Sequence, residues 1–103
     1  MNGGNSNGSV ICLARSAAGH DRGRIYAVIG EDDQVCYLAD GVHHKMARPK
    51  KKNRKHVQMI THLPRPVRQA AQEAGLDSQI IHLLRVYDSH MRGEADACQN
   101  LMS

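Results

Sequence analysis

Apolar residues fall in short runs separated by glycine and acidic turns over the first sixty or so positions, and at helical spacing after that. A strand is predicted over 9–15, from Ser9 through Ile11 and Leu13 to Arg15. Residues 16–22, with Gly19, His20 and Asp21, form a loop. The clearest strand is 24–29, rich in β-branched and aromatic residues, and the acidic turn 30–33 follows it. A third strand covers 34–39. Asp40-Gly41 then signals a hairpin into a fourth strand over 42–47. A fifth strand over 56–61 completes the set. After Leu63 the pattern changes. Pro64 and Pro66 favour a helix start, and Val67, Ala70, Ala71 and Ala74 form a stripe that Gly75 ends. Asp77 or Ser78 caps a second helix with Leu76, Ile80, Leu84, Tyr87 and Met91 on one face.

Five short strands with tight turns predict a mainly β fold, a small five-stranded barrel that removes its sheet edges by closing on itself. A C-terminal α-helical appendage follows. The expected organisation is a disordered leader over 1–8, a barrel over 9–62 with a basic segment at 44–56, a helical extension over 64–92 and a flexible tail over 93–103.

Composition narrows the core and the chemistry. The chain has 103 residues, no Phe, no Trp and only Tyr26, Tyr37 and Tyr87, so its core is aliphatic. Large aromatic platforms for single-stranded RNA are excluded by that inventory. No apolar run is long enough to span a membrane, and no signal-peptide pattern is present. Cys12, Cys36 and Cys98 form no pairing motif, which fits a reducing, cytoplasmic compartment.

Charge is unevenly placed. The window 41–56 holds seven basic residues, Lys45, Arg48, Lys50, Lys51, Lys52, Arg54 and Lys55, and no acidic one. Elsewhere seven basic residues face ten acidic ones, so a mildly acidic body carries one dense cationic segment. Such a segment is suited to phosphate contact.

The glycine loop adds a second cationic feature. Gly19 and Gly23 bracket it, Arg22 and Arg24 flank Gly23, and exposed backbone N–H groups there make a concave anion site. The window continues through the apolar strand 25–29 and Asp33-Gln34 to Leu38-Ala-Asp-Gly41. In this order and spacing it resembles the KOW motif, in the version carried by the L-fourteen-e group of large-subunit ribosomal proteins. It is closer still to small bacterial KOW-domain RNA-binding proteins, which share Ala-Gly-x-Asp-x-Gly-Arg, the Ala-Asp-Gly turn and a segment similar to Arg48 through His56. The resemblance covers roughly 10–58. It implies an SH3-like (KOW) barrel, no enzymatic activity, and binding of ribosomal RNA in association with the ribosome and translation, with ribosomal proteins as further partners. By position it carries the family's loop residues to Ser16, Gly19, Arg22, Gly23 and Arg24. His43 and His44 depart from the family, which usually has Arg or Lys there, and neutral imidazole attracts phosphate weakly near pH 7.

The candidate RNA-binding set is therefore Ser16, Gly19, His20, Asp21, Arg22, Gly23 and Arg24 with Lys45, Arg48, Lys50, Lys51, Lys52, Arg54 and Lys55. Asp21 and Ser16 are candidates for ribose contacts, although Asp21 and Arg22 also fit an ordinary turn with a surface ion pair. No metal site is expected, because His43, His44, His56 and His62 come without a Cys pair or an HExxH motif. No catalytic residue, cofactor or small-molecule substrate is expected either: Cys12 and Cys36 read as small core residues without a partnered base. Two alternatives remain. One is a KOW-type protein-interaction module in transcription. The other is a helix-turn-helix DNA binder built on the C-terminal helices, whose exposed face would offer Gln79, His82 and Arg85.

Overall fold

The structure, a computed structural model, describes residues 10–102, with side chains through Arg92. The leader expected over 1–8 lies outside the described residues, as does the side chain of Cys98. Five strands come first: β1 (Cys12–Ser16), β2 (Ile25–Glu31), β3 (Val35–Ala39), β4 (Lys50–Asn53) and β5 (Val57–Ile60). Two helices follow, α1 (Arg65–Glu73) and α2 (Asp77–Met102).

The strands form one antiparallel sheet in the order β4-β3-β2-β1-β5. The connection between the two edge strands forces this sheet to curl. In a flat sheet β4 and β5 would stand four strand spacings apart, about 19 Å. Only the three residues of a 3-10 turn, Arg54–His56, join them, and even fully extended they would span about 14 Å. The turn is tied at both ends: Arg54 N–H donates to Gln34 O and Ala17 N–H donates to His56 O, each at 2.8 Å. The result is a curled half-barrel, in which no ladder joins β4 to β5 among the described residues. A bulge between Val28 and Gly30 adds a further bend to β2.

Strand alternation divides the apolar residues into two clusters. Leu13, Ala27 and Ala39 point to one face, where they meet Val67, Ala71, Ala74, Ile80, Leu83 and Tyr87 of the helical segment. The alanines keep the sheet surface low, which lets the helices approach closely. Cys12, Ala14, Tyr26, Val28, Cys36 and Leu38 point the other way, with Val57 and Met59 packed against them. All the apolar members of this second cluster come from β1, β2, β3 and β5, and it fills the inside of the curl. Both cysteines are buried there, in the core positions their strands suggested.

The structure departs from the sequence reading at four points. The fourth strand is Lys50–Asn53, inside the basic run, and not 42–47. Asp40-Gly41 does not make a two-residue hairpin, because the Asp40 carboxylate takes the Val42 and His44 N–H groups at 2.9 and 2.8 Å and folds a local loop instead. Asp77 Oδ1 accepts the Met46 N–H at 2.8 Å, anchoring that loop to the start of α2. The face of α2 is also rotated. Ile80, Leu83 and Tyr87 are buried and Leu84 is partly buried, whereas Leu76 and Met91 are exposed. The backbone of α2 remains helical through Met102, past Gly93, where the sequence suggested a tail. A mid-helix glycine costs about 1 kcal/mol relative to Ala without compelling a break. No helix among the described residues is long and apolar enough to cross a membrane.

Candidate nucleic-acid interface

The loop between β1 and β2 is closed by its own backbone. Gly23 N–H donates to Ser16 O at 2.8 Å, Arg24 N–H to Asp21 O at 2.9 Å and Arg22 N–H to Gly19 O at 3.2 Å. Gly19 and Gly23 adopt φ of +91° and +92°, the left-handed region that L side chains rarely enter. This turn holds Asp21 inward and leaves His20, Arg22 and Arg24 exposed.

Asp21 is the centre of the site. Ser16 Oγ donates to Asp21 Oδ1 and Tyr26 OH to Asp21 Oδ2, each at 2.7 Å. Lys52 Nζ donates to Oδ1 at 2.9 Å and to the Ala18 carbonyl at 2.9 Å. Lys50 Nζ stands 3.2 Å from Oδ2. Only 11% of the Asp21 side chain and 12% of the Lys52 side chain are exposed, so solvent competes little for this pair. Burial by itself would raise the Asp21 carboxyl. The hydrogen bonds from Ser16, Tyr26, Lys52 and Lys50 outweigh that effect and hold it far below the usual carboxylate range. Tyr26 moves the opposite way: burial and the adjacent Asp21 carboxylate push its phenol up.

Strand geometry explains how the lysines reach Asp21. Lys50 pairs with Leu38 and Lys52 with Cys36, so both point into the curl, above the buried cluster. Lys51 pairs with Tyr37 and points to the other side. The basic run is therefore split by the two-residue period of β4. Lys50 and Lys52 join the glycine loop, and Lys51 does not. Arg54 is also directed elsewhere, forming an ion pair with Glu31. Lys45, Arg48 and Lys55 are exposed in the flanking loop and the 3-10 turn.

Sequence reasoning missed the part played by Tyr26, and it assigned Asp21 to ribose or to a pair with Arg22. Two lysines two residues apart, together with a lone carboxylate in the loop, carried the signal. It became legible only once the run was known to be a strand. His44 is likewise a packing residue: its ring meets that of Tyr26 edge-on at 6.0 Å, while His43 is exposed.

Among the described residues no group of three or more His, Cys, Asp or Glu side chains could hold a metal ion. Asp21 already accepts from four donors, which lowers its basicity and disfavours a role in proton abstraction. Burial pushes the Cys12 thiol up to about 11 and raises that of Cys36, which disfavours the nucleophilic thiolate at either site. No protein-family model matches the chain, and no curated protein matches it either.

Proposed function

We propose that the protein is a non-enzymatic RNA-binding protein with an SH3-like, KOW-type half-barrel, acting on ribosomal or other structured RNA in the cytoplasm. The observation that carries this reading is the link from Asp21 to Lys50 and Lys52, which fixes the glycine loop beside the cationic strand. The cluster of one carboxylate and two ammonium groups keeps a net positive charge, and exposed Arg22 and Arg24 extend from the same loop. Rigid, closely spaced cations of this kind suit the phosphates of folded RNA, which is recognised through shape and backbone. The 3-10 turn between β4 and β5 and the order of the strands support the SH3-like part of this reading.

Sedimentation of tagged protein through a sucrose gradient, with and without RNase, tests the reading. RNase-sensitive comigration with the large ribosomal subunit is expected. Comigration with RNA polymerase would favour a protein-interaction module in transcription. Affinity for duplex DNA that is lost on substituting Gln79, His82 and Arg85 would favour a DNA reader.

A further inference from the structure

The cations of the site differ in one respect that bears on binding. Arg22 and Arg24 are exposed and form no ion pair among the described residues, whereas Lys50 and Lys52 are already engaged by Asp21. Lys52 Nζ spends two of its three N–H groups on Asp21 and the Ala18 carbonyl, and its side chain is only 12% exposed, so a phosphate outside the site would engage it fully only by drawing it away from Asp21. That would strand a largely buried carboxylate with only two hydroxyl donors and one remaining lysine. The single carboxylate offsets one of the two ammonium charges, and Lys52, the closer and more buried of the pair, gives RNA the less reason to release counterions on its account.

We infer that Asp21 is a positioning residue for RNA binding: together with Lys50 and Lys52 it pins the 16–24 loop to β4, so that Arg22 and Arg24 make the phosphate contacts and Lys52 makes none. This rests on the RNA-binding reading above. It also separates two effects that a simple count of charges would merge. Removing Asp21 raises the net charge by one, so a protein that bound only through its total charge would bind RNA more tightly. If Asp21 positions the loop, binding weakens although the charge has become more favourable.

The test uses the full chain, purified large-subunit ribosomal RNA, and binding measured over a series of salt concentrations. Circular dichroism sets a temperature at which every variant compared is folded. Arg22→Ala and Arg24→Ala are each expected to lower the log–log salt slope by about 0.7–0.9. Lys52→Met is expected to weaken binding at every salt concentration and leave the slope unchanged. Asp21→Asn is expected to weaken binding about tenfold. Lys52→Arg, which restores a cation beside Asp21, is expected to recover most of the affinity that Lys52→Met loses. The amide signals of Gly19 and Gly23 in nitrogen–proton NMR spectra should broaden in Asp21→Asn while those of Val67 and Ala71 keep their positions.

Tighter binding by Asp21→Asn would overturn the inference. So would a slope reduced by about one unit in Lys52→Met, since that lysine would then contact phosphate directly. If Asp21→Asn does not fold, Lys52→Met and Lys52→Arg decide the question. Failure of the unaltered protein to bind this RNA at any salt concentration would instead remove the RNA-binding reading itself.

Discussion

Lys52 Nζ donates to Asp21 Oδ1 at 2.9 Å, joining residues that stand 31 positions apart in the chain. The pair ties a turn between the first two strands to the edge strand β4. Beneath it lie Tyr26, Cys36 and Leu38, so the ion pair also caps the inner apolar cluster at its open side.

Removing the Tyr26 hydroxyl should weaken that cap without disturbing the ring packing. Tyr26→Phe deletes a 2.7 Å hydrogen bond to a carboxylate that is mostly buried. A bond to a charged group contributes about 1.5–3 kcal/mol. Urea unfolding is expected to show a loss in that range, with the denaturant dependence unchanged.

Acid should destabilise the fold through Asp21. Its carboxyl lies far below its ordinary value in the folded state, so the stability it contributes is fully present above the unfolded value of about 4. That contribution declines as pH falls below about 4 and continues to decline towards the much lower folded value. Asp32 and Asp40, also held low by backbone N–H donors, act in the same direction. Urea midpoints recorded between pH 7 and pH 2 should fall less steeply for Asp21→Asn than for the unaltered protein.

Two glycines with similar backbone angles should differ in their tolerance of alanine. Gly41 has φ of +82°, and an added Cβ would meet the Asp77 carbonyl oxygen at 2.5 Å and Ile81 Cγ1 at 2.8 Å. Gly23 has φ of +92° but open space around it. The left-handed backbone alone costs an L side chain about 1–2 kcal/mol. Gly23→Ala should lose about that much, and Gly41→Ala distinctly more because the loop must also separate from α2. Thermal unfolding of the two variants in parallel measures the difference.

Leu83 should be among the costly positions in the helix–sheet core. It is fully buried and shares a cluster with Leu13, Ala27 and Ile80. Leu83→Ala is expected to lower stability by about 2–5 kcal/mol, with the value set by how far the cavity collapses. Leu76→Ala, at an exposed position of the preceding turn, should cost under about 0.5 kcal/mol. Urea titrations of both variants compare the sites.

Cys12 and Cys36 should resist alkylation in the native protein. Both are buried, and burial raises both thiols, that of Cys12 to about 11. Iodoacetamide at pH 7.5 should modify neither within the time needed to modify both in urea. Peptide mass mapping identifies the modified positions.

The sequence by itself determined the kinds of element and most of their order, because these follow from local periodicity. The β-branched and aromatic content of the run Ile25, Tyr26, Val28 and Ile29, and the helical spacing of Val67, Ala71 and Ala74, are visible in any short window. Gly19 and Gly23 likewise marked a tight loop, and the cysteines read as small apolar residues. Asp40-Gly41 misled because hairpin turns and side-chain-closed loops favour the same residues. The choice between them lay with Asp77 and Ile81, far along the chain.

Only the tertiary structure decided what each cation does. Lys50, Lys51 and Lys52 are identical as residues, and a charge count treats them as one patch. Their roles diverge because pairing with β3 fixes which face each occupies, and a shift of one residue would exchange those faces. Register is a long-range property, set here by a curled sheet and a three-residue turn. It places two lysines against Asp21 and directs the third away from it.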